Sequence, residues 1–132
     1  MAQTNVYTDI NLDFEPHPVT GDVVKLKDAN AVKRSVRNLV LMNQYEHPYD
    51  TTLGTGVREL LFENHREDVS LAIKNKVQYV IEKFEPRVEL ISVTVDDSAE
   101  NVDKNSLGVT IRFFVGSSQT PDELQIFLER VR

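Results

Sequence analysis
The stretch Phe84-Glu85-Pro86-Arg87-Val88 places an acid and a base on either side of a proline. A proline ring fixes its own φ at about −65° and disfavours helix at the residue before it. Glu85 and Arg87 therefore sit on a stiff corner and not on a free loop. A guanidinium held in this way can bind a carboxylate or a chain terminus through two parallel hydrogen bonds. Arg87 also follows a segment with helical spacing, and a cation is favoured near the exposed carbonyls of a helix end. Two readings stay open from these residues alone. One is a helix stop with an incidental surface ion pair, worth about 0–1 kcal/mol. The other is a preorganised polar pair offered to a partner.

The remaining candidates for chemistry are weaker. His17, His47 and His65 are not at metal-ligand spacing, and no HExxH occurs. There is no Cys, so there is no thiol nucleophile, no disulfide framework and no thiolate zinc site. Gly54-Thr55-Gly56 is too short for a phosphate loop and lacks a following Lys. Two close carboxylates could hydrolyse a glycoside. Asp9, Asp13 and Glu15, or Glu59 and Glu63, are the candidates, but most carboxylates of an acidic chain are solvated surface. Lys33, Arg34 and Arg37 form a basic cluster that is either an acidic-partner dock or a solvated helix face. No catalytic residue, metal or cofactor is expected.

The chain has 132 residues, one domain's worth, and can bury a core without metals or disulfides. Its net charge is −6, which argues against a nucleic-acid binder or an anionic membrane surface. The first residues lack an apolar signal region, and no apolar run approaches the roughly 20 residues that span a bilayer.

Hydrophobic periodicity supplies the elements that must hold the corner. Residues 1–22 read as an extended arm with Pro16, Pro18 and a turn at 19–22, followed by a short strand at 23–27. Asp28 reads as an N-cap for a helix over about 29–42, with Ala29, Val32, Val36 and Val40 on one face and Leu39 beside them. A long connection, 43–56, leads to a short helix at 57–64. Asp68 then caps a second long helix, in which Val69, Ile73, Val77, Val80, Ile81 and Phe84 recur at helical intervals.

After the corner, 88–95 reads as a strand with Ile91, Val93 and Val95 on one face, and 96–106 as a polar hairpin loop. Residues 107–115 alternate most clearly, with Leu107, Val109, Ile111, Phe113 and Val115 in phase. Residues 124–132 suit a helix or a strand. Strand is chosen because Ile126-Phe127 favours β and the spacing is that of a hairpin. The expected fold class is α+β: two long helices and one short helix on one face of a small, mainly antiparallel three-stranded sheet with open edges. An open edge offers unpaired backbone groups for strand addition.

Glu85-Pro86-Arg87 after a long helix, followed by "VELISVTV", resembles the signature of the baseplate-wedge and sheath-initiator family of contractile phage tails. That family is also labelled lysozyme-like and has relatives in type VI secretion baseplates. The segment at 47–64 resembles the family's loop through Pro48, Tyr49, Asp50, Gly54, Leu61, Phe62 and Glu63, and 117–132 resembles its closing segment. The resemblance covers about residues 20–132. One departure is His47, where the family usually carries Arg before the proline.

The resemblance implies a structural, non-enzymatic protein of the virion, six copies per particle, assembled in the host cytoplasm. It implies that Glu85, Pro86 and Arg87 bind the core bundle formed by other baseplate wedge proteins. It further implies a sheet to which the tail sheath protein adds strands; the strand at 124–132 reads as the edge or exchanged strand, with Ile126, Phe127, Leu128 and Arg130 as its contacts, and Pro48, Tyr49, Asp50 and Gly54 read as a structural loop. The competing readings are a peptidoglycan hydrolase and a small regulatory anti-adaptor.

Overall fold
The computed structural model describes residues 7–62, 66–96, 106–116 and 118–129; of Arg66 and Glu67 only the backbone is described. Its elements in chain order are β1 (Thr8–Ile10), β2 (Lys25–Lys27), α1 (Asp28–Leu41), α2 (Val57–Leu60), α3 (Arg66–Phe84), β3 (Val88–Asp96), β4 (Ser106–Val115) and β5 (Asp122–Glu129).

The strands form two sheets, not one. β3, β4 and β5 make an antiparallel meander with β4 in the middle, and β1 pairs with β2 in a separate ribbon. The single three-stranded sheet expected from the sequence is therefore incorrect, because part of the arm folds back. Thr8 pairs with Lys27 and Ile10 with Lys25; beyond them the Asn11 amide donates to Val24 O at 3.0 Å and Pro16 bridges Val23. The ribbon is mostly exposed, so its pairing rests on backbone bonds and leaves almost no apolar alternation to read.

One layer of helices covers one face of the meander. α1 buries Ala31, Val32, Val36, Leu39 and Val40; α3 buries Val69, Ile73, Val77, Val80 and Ile81. Of these, Val32, Val36, Val40, Val69, Ile73, Val77 and Ile81 join Val93 of β3, Val109, Ile111, Phe113 and Val115 of β4, and Ile126 and Leu128 of β5 in one core cluster. Each of these cluster side chains, a Val, Ile, Leu or Phe, contributes roughly 1.5–3 kcal/mol through removal from water. α3 lies over β3, while α1 reaches β5.

Two helix starts differ from the sequence reading. Asp28 is the first helical residue of α1 and Lys27 its cap position, with Asp28 at φ 47°. Asp68 lies inside α3, which begins at Arg66.

The face of β3 changes partway along. Leu90 pairs with Phe113 but Ser92 pairs with Arg112, so Ile91 is an extra residue in a bulge. Val88 and Leu90 face the core before the bulge, and Val93 and Val95 after it. Ile91, expected to share the face of Val93, is instead 45% exposed. β4 has no such break, and β5 runs in continuous register with it from Ser106↔Glu129 to Phe113↔Asp122.

The long connection is tied to the end of α1. Gly54 adopts φ 104°, and a Cβ there would stand 2.6 Å from Met42 O, so only glycine fits without a backbone shift. The buried Thr55 donates its hydroxyl to Val40 O at 2.6 Å and its amide to Met42 O at 3.0 Å.

The bulge makes neighbouring residues unequal. Leu90→Ala is expected to cost about 2 kcal/mol, and Ile91→Ala about 0.5 kcal/mol or less, in urea unfolding. The reverse order would place Ile91 in the core and contradict this register.

Candidate functional site
The corner forms as the proline dictates. α3 stops at Phe84, the Glu85 amide still donates to Ile81 O at 3.0 Å, and the Val88 amide closes a turn onto Glu85 O at 3.3 Å. Pro86 occupies the second position of that turn, where its fixed φ is favourable.

The Glu85 side chain turns inward and is only 3% exposed. Arg87 grips it with both arms of its fork: Nε donates to Oε1 at 2.6 Å and Nη2 to Oε2 at 2.8 Å. Ser35 of α1 donates its hydroxyl to Oε2 at 2.5 Å. Burial raises the cost of the carboxylate, but the hydrogen bonds from Arg87 and Ser35 and the charge of Arg87 outweigh it. The Glu85 pKa is therefore held below the usual carboxylate value.

Arg87 is about one-third open, with 30% of its side chain exposed. The Tyr7 ring lies 5.5 Å from its guanidinium carbon. Tyr7 is held there by the Asp28 amide, which donates to Tyr7 O at 2.8 Å. The Arg87 carbonyl accepts from the Gly116 amide at 3.0 Å, which joins the corner to the end of β4. With Nε and Nη2 committed to Glu85, Nη1 is the arm of the guanidinium without a hydrogen-bond partner among the described residues. Ser35 and Tyr7 were not singled out in the sequence; both lie far along the chain from residue 85, and no local pattern marks them.

The basic cluster divides three ways. Lys33 pairs with Asp122 at 2.9 Å, Arg34 pairs with Asp13 at 2.7 Å, and Arg37 stays exposed. Asp13 of the arm is thereby part of the ion pair with α1. The other candidate carboxylates Asp9, Glu15 and Glu59 are exposed, and Glu63 lies outside the described residues, as does His65. Among the described residues the carboxyl groups with displaced pKa values, Asp50 and Glu85, are both displaced downward, opposite to the need of a general acid. For Asp50 the cause is hydrogen bonding from the Thr52 hydroxyl and amide. Among the described residues no group of three or more His, Asp or Glu could hold a metal ion, and no helix is long and apolar enough to cross a membrane.

In the loop, Gly54 is buried and constrained, while Pro48, Tyr49 and Asp50 are exposed. On β5, Ile126 and Leu128 belong to the core, Phe127 is 61% exposed on the opposite face, and Arg130 lies outside the described residues.

A family model described as baseplate wedge protein gp25 matches residues 27–120, well over half of the chain. The baseplate wedge protein gp25 of Enterobacteria phage T4 is 25% identical over 126 residues, covering 95% of this chain and 91% of that protein. Two solved structures share the fold. One, described as a tail lysozyme from Geobacter sulfurreducens, superimposes with a TM-score of 0.67 at 24% identity, over 76% of this chain and 89% of that one. The other is a chain of the anti-feeding prophage baseplate seen by cryo-EM, with a TM-score of 0.63 at 18% identity over 96% of this chain and 87% of that one.

A carboxylate with a depressed pKa stabilises the fold above its unfolded value, about 4.3, and that contribution disappears as pH falls through the folded value. Glu85→Gln should therefore be less stable than the wild type at pH 7, and the gap should narrow as the pH falls below about 4.3. Urea midpoints measured across that range test this; a constant gap would contradict it.

Proposed function
Because the chain belongs to the baseplate wedge protein gp25 family and is a structural component of a tail baseplate, we propose that it docks on the wedge through Arg87 and primes the sheath through β5. The bound surface at the corner is a carboxylate or helix end of the core bundle formed by neighbouring wedge proteins. Six such chains per particle would present the same edge to the first ring of sheath, and the complex forms in the host cytoplasm.

The observation that carries the docking reading is the asymmetry of the pair. Glu85 is sealed within the chain, while Arg87 keeps 30% of its side-chain surface exposed and has no hydrogen bond at Nη1 among the described residues. Glu85 and Pro86 thus act by holding Arg87 in place, and Arg87 makes the outward contact. A guanidinium already fixed by two bonds and an aromatic ring loses little rotamer freedom on binding.

Strand addition at β5 is supported by the contrast between the two edges. β3 carries a bulge, a feature that discourages edge-to-edge pairing. β5 offers eight residues in unbroken register with β4, with Phe127 outward and Ile126 and Leu128 anchored in the core. The backbone of an added strand would bond to that edge, and side chains would set the choice of partner.

Arg87→Lys separates fold from docking. A lysine keeps the charge beside Glu85 but loses the fork, so the free protein should lose only about 1 kcal/mol. Entry into baseplates should fall by about thirtyfold, the consequence of losing roughly 2 kcal/mol at a desolvated ionic contact. Folded variant protein that enters baseplates at the wild-type level would overturn the docking role.

A further inference from the structure
Beside β5 a groove of about 320 Å³ opens between the sheet and the helices. Its walls include Leu41 of α1, Phe62 just after α2, and Phe127 of β5; Arg37, Arg58 and Glu129 stand around it. Phe62 is 53% exposed and gives the groove aromatic surface open to water, while the exposed Phe127 side chain lies on the other face of β5.

The two arginines set the charge of the groove. The chain has 21 acidic residues against 15 Lys and Arg, so carboxylate partners are in surplus. Lys33, Arg34, Arg87 and Arg112 each have one. The side chains of Arg37 and Arg58 have no hydrogen bond or ion pair among the described residues, and both residues line the same groove. Two uncommitted guanidiniums against the single carboxylate of Glu129 give the groove a local positive field on an otherwise acidic protein. Guanidiniums beside apolar walls suit a carboxylate that arrives with a large apolar side chain, since desolvation by the apolar group strengthens the ionic contact.

We propose that this groove reads the side chains of the strand that joins β5, and that the strand carries an acidic residue next to a bulky apolar one. The inference rests on β5 being the acceptor edge, and it adds which sequence is accepted. A strand hydrogen-bonded to β5 would lie about 4.8 Å from it. Its residues on the helix side would drop toward Leu41 and Phe62, with Arg37 and Arg58 within reach of a neighbouring carboxylate.

The test uses the full chain and the tail sheath protein of the same particle, with two readouts. Amide hydrogen exchange reports whether residues 122–129 gain protection in the complex, and a titration reports affinity. Arg37→Glu/Arg58→Glu is expected to weaken binding about tenfold or more, with Arg37→Gln/Arg58→Gln in between. Lys74→Glu/Lys76→Glu, the same charge change on α3, should shift it less than about threefold. Protection of β5 together with unchanged affinity of the groove variants overturns this inference and leaves strand addition standing. Equal losses in the groove and α3 variants also overturn it, since general charge then explains both. No protection of β5 with the wild-type chain overturns strand addition itself. Melting curves confirm that each variant is folded, and the Gln pair serves if the Glu pair is not.

Discussion
One buried carboxylate organises this protein. Glu85 lies at the junction of a helix and a sheet with almost no contact with water. An isolated ionised acid in such a place would cost several kcal/mol. The cost is offset because three donors converge on it: two from Arg87 and one from Ser35. Meeting that requirement ties distant parts of the chain together. Ser35 brings α1 to the end of α3, Arg87 locks the turn, and the backbone of Arg87 receives the end of β4 through Gly116. Tyr7 lays the start of the described arm across the same guanidinium.

The division of labour within the pair follows from the same geometry. An acid that must be satisfied internally is poorly suited to exchange partners. Breaking its bonds would leave a charge stranded in the interior. The base has donors to spare and stands at the surface. A motif of three residues can therefore be structural at one end and outward-looking at the other. The sheet repeats this pattern on a larger scale. Ile126 and Leu128 fix β5 to the core, while Phe127 and the outer backbone edge of the same strand face away from it. A baseplate component needs a rigid interior and an exposed recognition surface on neighbouring atoms, and both sites have that form.

Much of this was legible before any coordinates. Pro86 ended the helix and marked the corner. Helical spacing located the buried faces of α1 and α3, and strict alternation located the core face of β4. The ambiguous last segment resolved to a strand over Asp122–Glu129, as its β-favouring pair suggested. Other features were hidden for physical reasons. Ile91, Val93 and Val95 keep a perfect two-residue period, so a bulge that removes Ile91 from the core leaves no trace in it. The β1–β2 ribbon depends on backbone bonds between exposed residues, which no hydrophobic pattern reports. Ser35 and Tyr7 reach the corner only through tertiary packing. The inward turn of Glu85 depends on that same packing, because an acid beside a base reads equally well as a surface pair.

These properties fit a component that enters an assembly already folded and offers preformed contacts to its neighbours. The family assignment places the chain in a baseplate, and the corner and the β5 edge are the surfaces proposed for its partners. A cryo-EM map of the intact particle tests this most directly, at the environment of Arg87 and at the outer edge of β5. A carboxylate or helix end of a neighbouring wedge protein is expected against Nη1 of Arg87, and a sheath strand hydrogen-bonded along residues 122–129. A guanidinium open to bulk solvent, with the outer edge of β5 unpaired, would contradict it.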